Sequence, residues 1–416
     1  MALRLSNLAY HISKRAPVLV SRKIVELVCG MATFAILARA LSPENFAIYS
    51  LILGLISFAR LTSLPGIGVA LAQSFARGHR GDFRRAVKLS AKTSLLGMLV
   101  LAIAAWWHMY TGDKNMASAF LAASIGFPLY SGFLYWRNTL FGDEKFWRLL
   151  FFDSASFTLR SVAVSICALT FPQYIFLVIL LALLMPALVN ILATFWQAHQ
   201  IPISASREPN ALRYGIKVSM YEIPSLAVQQ LDRIALFYFI SPEALAVYSV
   251  AVRIPQLLQA MIGEAIAVLG PVFARQESYD RSLHRFTFLI TAIFLTACLL
   301  FSFIAIPYIL PLLSGPKYDD SILYAQILTT GIAIGTIGQI YFRYVKSKLD
   351  SKAFLQITLT QAAIDGPTIL LLTFYFGIKG AVAAFILKGV TISLITAFIV
   401  YRKYHQKSAP ICNEDQ

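Results

Sequence analysis

Seven basic side chains, Arg22, Lys23, Arg60, Arg160, Arg233, Arg253 and Lys388, lie within runs of apolar sequence and not between them. Arginine stays charged when buried, and its planar fork suits two-pronged pairing with phosphate or carboxylate. A charge at the centre of a spanning helix costs roughly 2.5–3.5 kcal/mol on insertion scales, so such residues face a bundle interior or an aqueous cavity. Arg60 is the clearest instance, close to midway between Glu44 and Arg77 with no other charge in that stretch. The embedded acids are Glu26, Glu222, Asp232, Glu264 and Asp365. Arg22 and Glu26 stand four apart, a spacing that lets them pair on one helical face. Two chemistries compete for these groups: interhelical ion pairs, or a positive cleft for an anionic, phosphorylated amphiphile. On the second, Arg22, Arg60, Arg233 and Arg253 are the anion-binding candidates. Glu26, Asp232, Glu264 and Asp365 are candidate ion-pair partners or sites for a coupling cation.

These charges need a membrane scaffold. With 58% hydrophobic and 13% charged residues and a mean hydropathy of +0.68, the 416-residue chain reads as an all-α polytopic membrane protein. A spanning helix takes ~20 apolar residues. Twelve such runs centre near residues 28, 55, 98, 127, 160, 184, 226, 258, 295, 332, 365 and 390.

The chain is also a duplication. Residues 42–51 (SPENFAIYSL) and 241–250 (SPEALAVYSV) match at six of ten positions, with apolar exchanges at three more. Phe75-Ala76-Arg77 is echoed by Phe273-Ala274-Arg275, each followed by a basic stretch with an aspartate, Asp82 or Asp280. Two parallel repeats of six helices around a central cavity are expected. The expected division is an interfacial segment over 1–16, a first lobe over 17–205, a second over 206–401 and a basic tail over 402–416; Pro202, Ser204, Ser206 and Pro209 interrupt the pattern between lobes. Spans one, two, seven and eight are then equivalent pairs, and they carry Arg22, Arg60, Arg233 and Arg253.

Each Ser-Pro-Glu reads as a helix start: serine as N-cap, proline in the first turn, glutamate at the positive end of the dipole. Helix breakers recur inside spans, at Pro65-Gly66-Ile67-Gly68, Pro128, Pro186, Pro224, Pro255, Gly270-Pro271, Pro307 and Gly366-Pro367. Gly331 and Gly335 form a close-packing face on the tenth span.

Lysine and arginine divide 25 to 4 between alternate connections, which places both termini and the long loops in the cytoplasm. That accounts for most of the net charge of +16, and no aromatic-plus-basic module points to nucleic acid. The four cysteines are scattered, and the chain has no zinc spacing, nucleotide loop or metalloprotease motif, so no catalytic residue, metal or cofactor is expected. Short outer connections, the longest near 311–320, disfavour a membrane glycosyltransferase or polymerase.

Residues 37–50 (LARALSPENFAIYS), their echo, and Gln230-Leu231-Asp232-Arg233 ahead of that echo resemble the polysaccharide (O-antigen, Wzx-type) flippases. These belong to the multidrug/oligosaccharidyl-lipid/polysaccharide exporter (MOP) superfamily. The family often has glycine where Ala47 and Ala246 stand. The resemblance implies a V-shaped, MATE-like bundle that alternates between inward-open and outward-open states. It implies carriage of an undecaprenyl-pyrophosphate-linked oligosaccharide across a bacterial inner membrane, for O-antigen, capsule or exopolysaccharide synthesis. Polysaccharide polymerase and chain-length proteins are candidate partners, and coupling to H+ or Na+ is left open. In related lipid-linked precursor flippases, arginines on the first, second and eighth helices engage the pyrophosphate; by position these are Arg22, Arg60 and Arg253. Tyr130, Tyr135, Trp136 and Tyr221 are either sugar-stacking residues or core and interfacial aromatics. The alternative is a cation-coupled multidrug exporter of the same superfamily, disfavoured because a positive cleft repels cationic drugs.

Overall fold

The structure is a computed structural model that describes the backbone of residues 2–267, 273, 281–348 and 351–405; within these, the side chains of 1–16 and a few others, Glu264 among them, lie outside the description. The described residues are helical, without a strand. The first ten helices are α1 (Ala2–Ala40), α2 (Pro43–Ala59), α3 (Gly66–Ala76), α4 (Phe83–Tyr110), α5 (Lys114–Ser131), α6 (Trp136–Gly142), α7 (Phe146–Thr170), α8 (Ile175–Gln200), α9 (Ala211–Val228) and α10 (Leu231–Ala235). They are followed by α11 (Pro242–Ala267), α12 (Arg281–Ile304), α13 (Ile306–Ser314), α14 (Ser321–Ser347) and α15 (Ser351–Val400).

Among the described residues, eight helices are long and apolar enough to cross a membrane, or nine if the bent pair Leu295–Ile304 and Ile306–Ser314 counts as one span. One of the eight, Lys352–Lys403, breaks at Gly377, whose φ of 58° and ψ of −136° no helix accommodates, and so is two helices in succession, one for each of the last two expected runs. Helix α1 and the interrupted pair α9–α10 complete the twelve expected runs. The outward faces are apolar, as on α4, where Leu95, Leu96, Leu99 and Val100 are exposed.

Both copies of the duplicated motif cap a helix in the same way. Ser42 Oγ accepts from the Asn45 N–H at 3.2 Å, and Ser241 Oγ accepts from the Ala244 N–H at 3.1 Å. Pro43 and Pro242 open α2 and α11, with Glu44 and Glu243 in the first turn. Phe75 and Phe273 are buried alike, whereas Ala274, Arg275 and Asp280 lie outside the described residues. Gly331 admits α15 closely: a Cβ on Gly389 would lie 2.7 Å from the Gly331 carbonyl.

Two compact units result, Met1–Ile223 and Pro224–Gln416. In the first, α1 packs on α7, and α5 on both α4 and α8. Trp136, Phe83 and Ile67, all fully buried, lie in its core. In the second, α14 packs on α11 and α15 around Phe273, Ile340 and Tyr344. Residues 206–223, which composition assigns to the second lobe, pack with the first unit, for identifiable reasons. The Gly81 N–H donates to Ser206 O at 2.8 Å, the Glu208 N–H to Asp82 Oδ2 at 3.2 Å, and Arg77 pairs with Glu208. Farther along, Gly215 lies so close to α3 that a Cβ there would meet Ile67 Cα at 2.6 Å.

Candidate functional site

The site in the first unit is built around a break in the second span. Helix α2 ends at Ala59, a 3₁₀ turn runs Arg60–Ser63, Leu64 takes a left-handed conformation (φ 57°, ψ 62°), and α3 starts after Pro65. Proline has no N–H to offer and bars the preceding residue from helix, so the turn cannot continue the ladder. The Ile67 N–H goes to Leu64 O at 3.0 Å, which leaves Ser63 O without its helical donor. Side chains from other elements fill in. The buried Tyr135 hydroxyl donates to Ser63 O at 2.7 Å and lies 2.8 Å from Leu64 O, and Ser90 Oγ donates to Ser63 O at 3.2 Å. Ser63 Oγ and Ser131 Oγ bond at 2.7 Å, and the Gly66 N–H donates to Ser219 Oγ at 2.9 Å. The break thus holds Arg60 exposed at the end of α2, close to midway along residues 43–76.

Around Arg60 the interior is basic. Asp153 on α7 is fully buried and bridges two arginines: Oδ2 lies 2.7 Å from Arg22 Nη1 on α1, and Oδ1 lies 2.7 Å from Arg137 Nε on α6. Arg137 also lies over the Trp136 and Phe157 rings, at 5.4 and 5.9 Å from their centroids. Trp136 is fixed in turn by donating Nε1–H to Asn190 Oδ1 at 3.2 Å. Two helical turns beyond Asp153, Arg160 donates to the Tyr49 hydroxyl at 3.5 Å. Tyr130 stands among them, within the field of Arg60, Arg160, Arg137 and Asp153. Four guanidiniums therefore gather with one carboxylate. Such an arrangement, with the carboxylate buried and the guanidiniums still accessible, is matched to an added anion carrying more than one charge.

Several sequence expectations change here. Arg22 pairs with Asp153, whereas Glu26 accepts from Lys23 Nζ at 3.1 Å, one turn earlier on its own helix. Tyr135 and Trp136 are 4% and 0% exposed, which removes them as sugar-stacking surfaces. Tyr221 remains exposed and Tyr130 partly so. Neither Asp153 nor Arg137 is among the embedded charges that the sequence singles out. The available signal was the seven-residue spacing of Asp153 and Arg160, which sets opposite charges on one helical face.

The second unit holds its candidates differently. The Asp232 carboxylate accepts from the Tyr248 hydroxyl at 2.7 Å and from the Arg233 N–H at 2.8 Å. Asp365 is 3% exposed, accepts from Thr391 Oγ1 at 2.9 Å, and lies in the field of Lys388. Helix α10 packs on α15 beside it, with Val228 and Leu231 side chains 3.6 and 3.8 Å from where a Gly366 Cβ would be. Arg233 and Arg253 are partly buried; the Glu264 side chain lies outside the described residues. Tyr49 and Tyr248 hold the same place in the two motif copies and are buried in both, yet Tyr49 meets an arginine and Tyr248 an aspartate. Among the described residues no three His, Cys, Asp or Glu side chains gather as a metal would require.

Solved structures share this fold. The lipid II flippase MurJ, in an inward closed conformation, aligns with a TM-score of 0.69 at 13% identity, over 95% of this chain and 88% of that one. An outward-facing multidrug resistance MATE family transporter of the MOP superfamily aligns at 0.64 and 13% identity, over 96% of both chains. A MOP superfamily transporter from Pyrococcus furiosus, described as having a binding pocket of reverse polarity, aligns at 0.59 and 14% identity, over 94% of this chain and 95% of that one. No curated protein sequence matches the chain significantly. The family profile described as polysaccharide biosynthesis protein matches residues 36–323. With a MOP-type fold and that match over most of its length, the chain belongs to the polysaccharide biosynthesis protein family.

Proposed function

We propose that the protein is a flippase without catalytic residues, carrying an undecaprenyl-pyrophosphate-linked oligosaccharide from the cytoplasmic to the periplasmic leaflet of a bacterial inner membrane. The observation that supports it most is the excess of guanidinium over carboxylate in the first unit: Arg22, Arg60, Arg137 and Arg160 against Asp153. Uncompensated charge of one sign in a membrane interior is unfavourable, and a pyrophosphate supplies the missing negative charge on oxygens that guanidinium binds two at a time. Arg60 is the first contact in this reading, because it is exposed and its side chain makes no hydrogen bond or ion pair to another described residue, the backbone N–H alone being bonded, within α2. The oligosaccharide follows the phosphate through the polar interior while the polyprenyl chain stays in lipid. Both termini are cytoplasmic in this reading, and polymerase and chain-length proteins receive the product. The MurJ likeness and the family membership favour a lipid-linked substrate.

The acids of the second unit, Asp232 and Asp365, favour coupling to H+ or Na+. Protonating or metallating a buried carboxylate changes which partners hold it, and so biases one conformation over another. Transport that persists after both gradients collapse would remove this part. For the main reading, Arg60→Ala should abolish export of surface polysaccharide while the protein reaches the membrane in normal amount. Export at the wild-type level would overturn it.

A further inference from the structure

We infer that Asp153 is a built-in competitor for the substrate's phosphate: a carboxylate that occupies Arg22 and Arg137 in the empty site and reclaims them to release the lipid. This rests on the reading that the arginines of the first unit hold a phosphate anion.

The geometry separates Asp153 from an ordinary structural ion pair. A fully buried carboxylate is unfavourable unless its charge is met, and both of its oxygens are met by arginines from different elements, α1 and α6. Neither arginine is used up by it. The side chains of Arg22 and Arg137 remain 26% and 28% exposed while Asp153 is at 0%, so an incoming ligand reaches the guanidiniums without displacing protein around the carboxylate. A guanidinium carries five N–H donors. Arg22 Nε is buried without an acceptor. Arg137 Nε and Asp153 Oδ1 stand at 2.7 Å without hydrogen-bond alignment. The bridge is close in distance and incomplete in bonding, as befits a contact that a better acceptor can replace.

Phosphate is that better acceptor. Its oxygens offer guanidinium the same planar, two-pronged partner as a carboxylate, with more charge. A site of bare arginines would bind it and then retain it, whereas turnover needs binding weak enough to reverse. A carboxylate that waits beside the ligand and takes back the same two donors lowers the net gain on binding and restores the empty site on release. Arg160, two turns away on the same face of α7, has the phenols of Tyr49 and Tyr130 as neighbours and no paired carboxylate among the described residues.

The test uses the full chain in phosphatidylcholine vesicles with undecaprenyl pyrophosphate as probe. Asp153→Asn should bind it about ten-fold more tightly, the low end of what a close, desolvated charge pair is worth. Translocation should then show a lowered KM together with a lowered kcat, a split that a merely structural aspartate does not produce. If Asp153→Asn alone fails to accumulate, the same comparison is made in an Arg137→Gln background, which leaves one embedded charge fewer. There the double variant should bind more tightly than Arg137→Gln by a similar factor. Unchanged or weaker binding by the asparagine variant, with the wild type binding, overturns the competitor role alone. A wild type that does not bind the probe overturns the reading on which it rests.

Discussion

Tyr135→Phe removes one hydroxyl and nothing else from the break that sets Arg60. In the wild type that hydroxyl donates to Ser63 O at 2.7 Å and reaches Leu64 O at 2.8 Å from a side chain that is 4% exposed. Neither carbonyl is orphaned by its loss, because Ser90 Oγ still reaches Ser63 O and the Ile67 N–H still reaches Leu64 O. The cost is therefore that of one net hydrogen bond in a dry interior, about 1 kcal/mol, and well below the ~3 kcal/mol of a fully unsatisfied buried acceptor. Equilibrium unfolding of the purified protein in mixed micelles measures it. Transport should fall further than stability, since the 3₁₀ turn Arg60–Ser63 ends at the loosened carbonyl. A Phe variant as stable and as active as the wild type would show that the hydroxyl does not hold the break. A loss as large as that of Tyr135→Ala would assign the effect to ring packing.

Four further outcomes follow from contacts in single units. Ser42→Ala and Ser241→Ala should each cost ~1 kcal/mol, and nearly equally, because the two caps share one geometry; unfolding of the two variants side by side checks this. Gly66→Ala should reduce the yield of folded protein sharply, by about 3 kcal/mol of stability, since its Cβ would lie 2.5 Å from Gly215 O and 2.6 Å from the Ser219 N, backbone atoms that cannot turn aside. Gly366→Ala, with its nearest neighbour at 3.6 Å, should be neutral or gain up to ~1 kcal/mol of helix propensity. Tyr248→Phe should alter the dependence of transport on the coupling ion and leave phosphate affinity unchanged, whereas Tyr49→Phe should alter affinity alone; titrations of each variant against ion and lipid separate the two effects.

Local chemistry was legible in the sequence and distant chemistry was not. The two Ser-Pro-Glu caps and the break at Pro65-Gly66-Ile67-Gly68 are set by residues within a few positions of one another, and each stands where its spacing puts it. What satisfies the break comes from Ser90, Ser131, Tyr135 and Ser219, which no local pattern ties to it. The partner of Arg22 shows the same limit. Glu26 is four residues away and Asp153 is 131, and tertiary packing of α1 on α7 selects the farther one. Arg137 resembled a loop charge because the apolar run closes near Gly132, yet a short helix carries it back into the core. Aromatic type could not separate Tyr135 and Trp136, which are buried, from Tyr221, which is exposed. Composition likewise marks the linker by its prolines and serines, while the contacts of Ser206, Glu208 and Gly215 carry the first unit on to Ile223.

The most direct test reconstitutes the purified full chain in vesicles holding a fluorescent pyrophosphate-linked oligosaccharide lipid and follows its transfer between leaflets. Wild-type protein should accelerate the transfer, and Arg60→Ala, folded and inserted to the same extent, should not. Equal rates with and without the wild-type protein, or equal rates for wild type and Arg60→Ala, would contradict a phosphate-guided flippase.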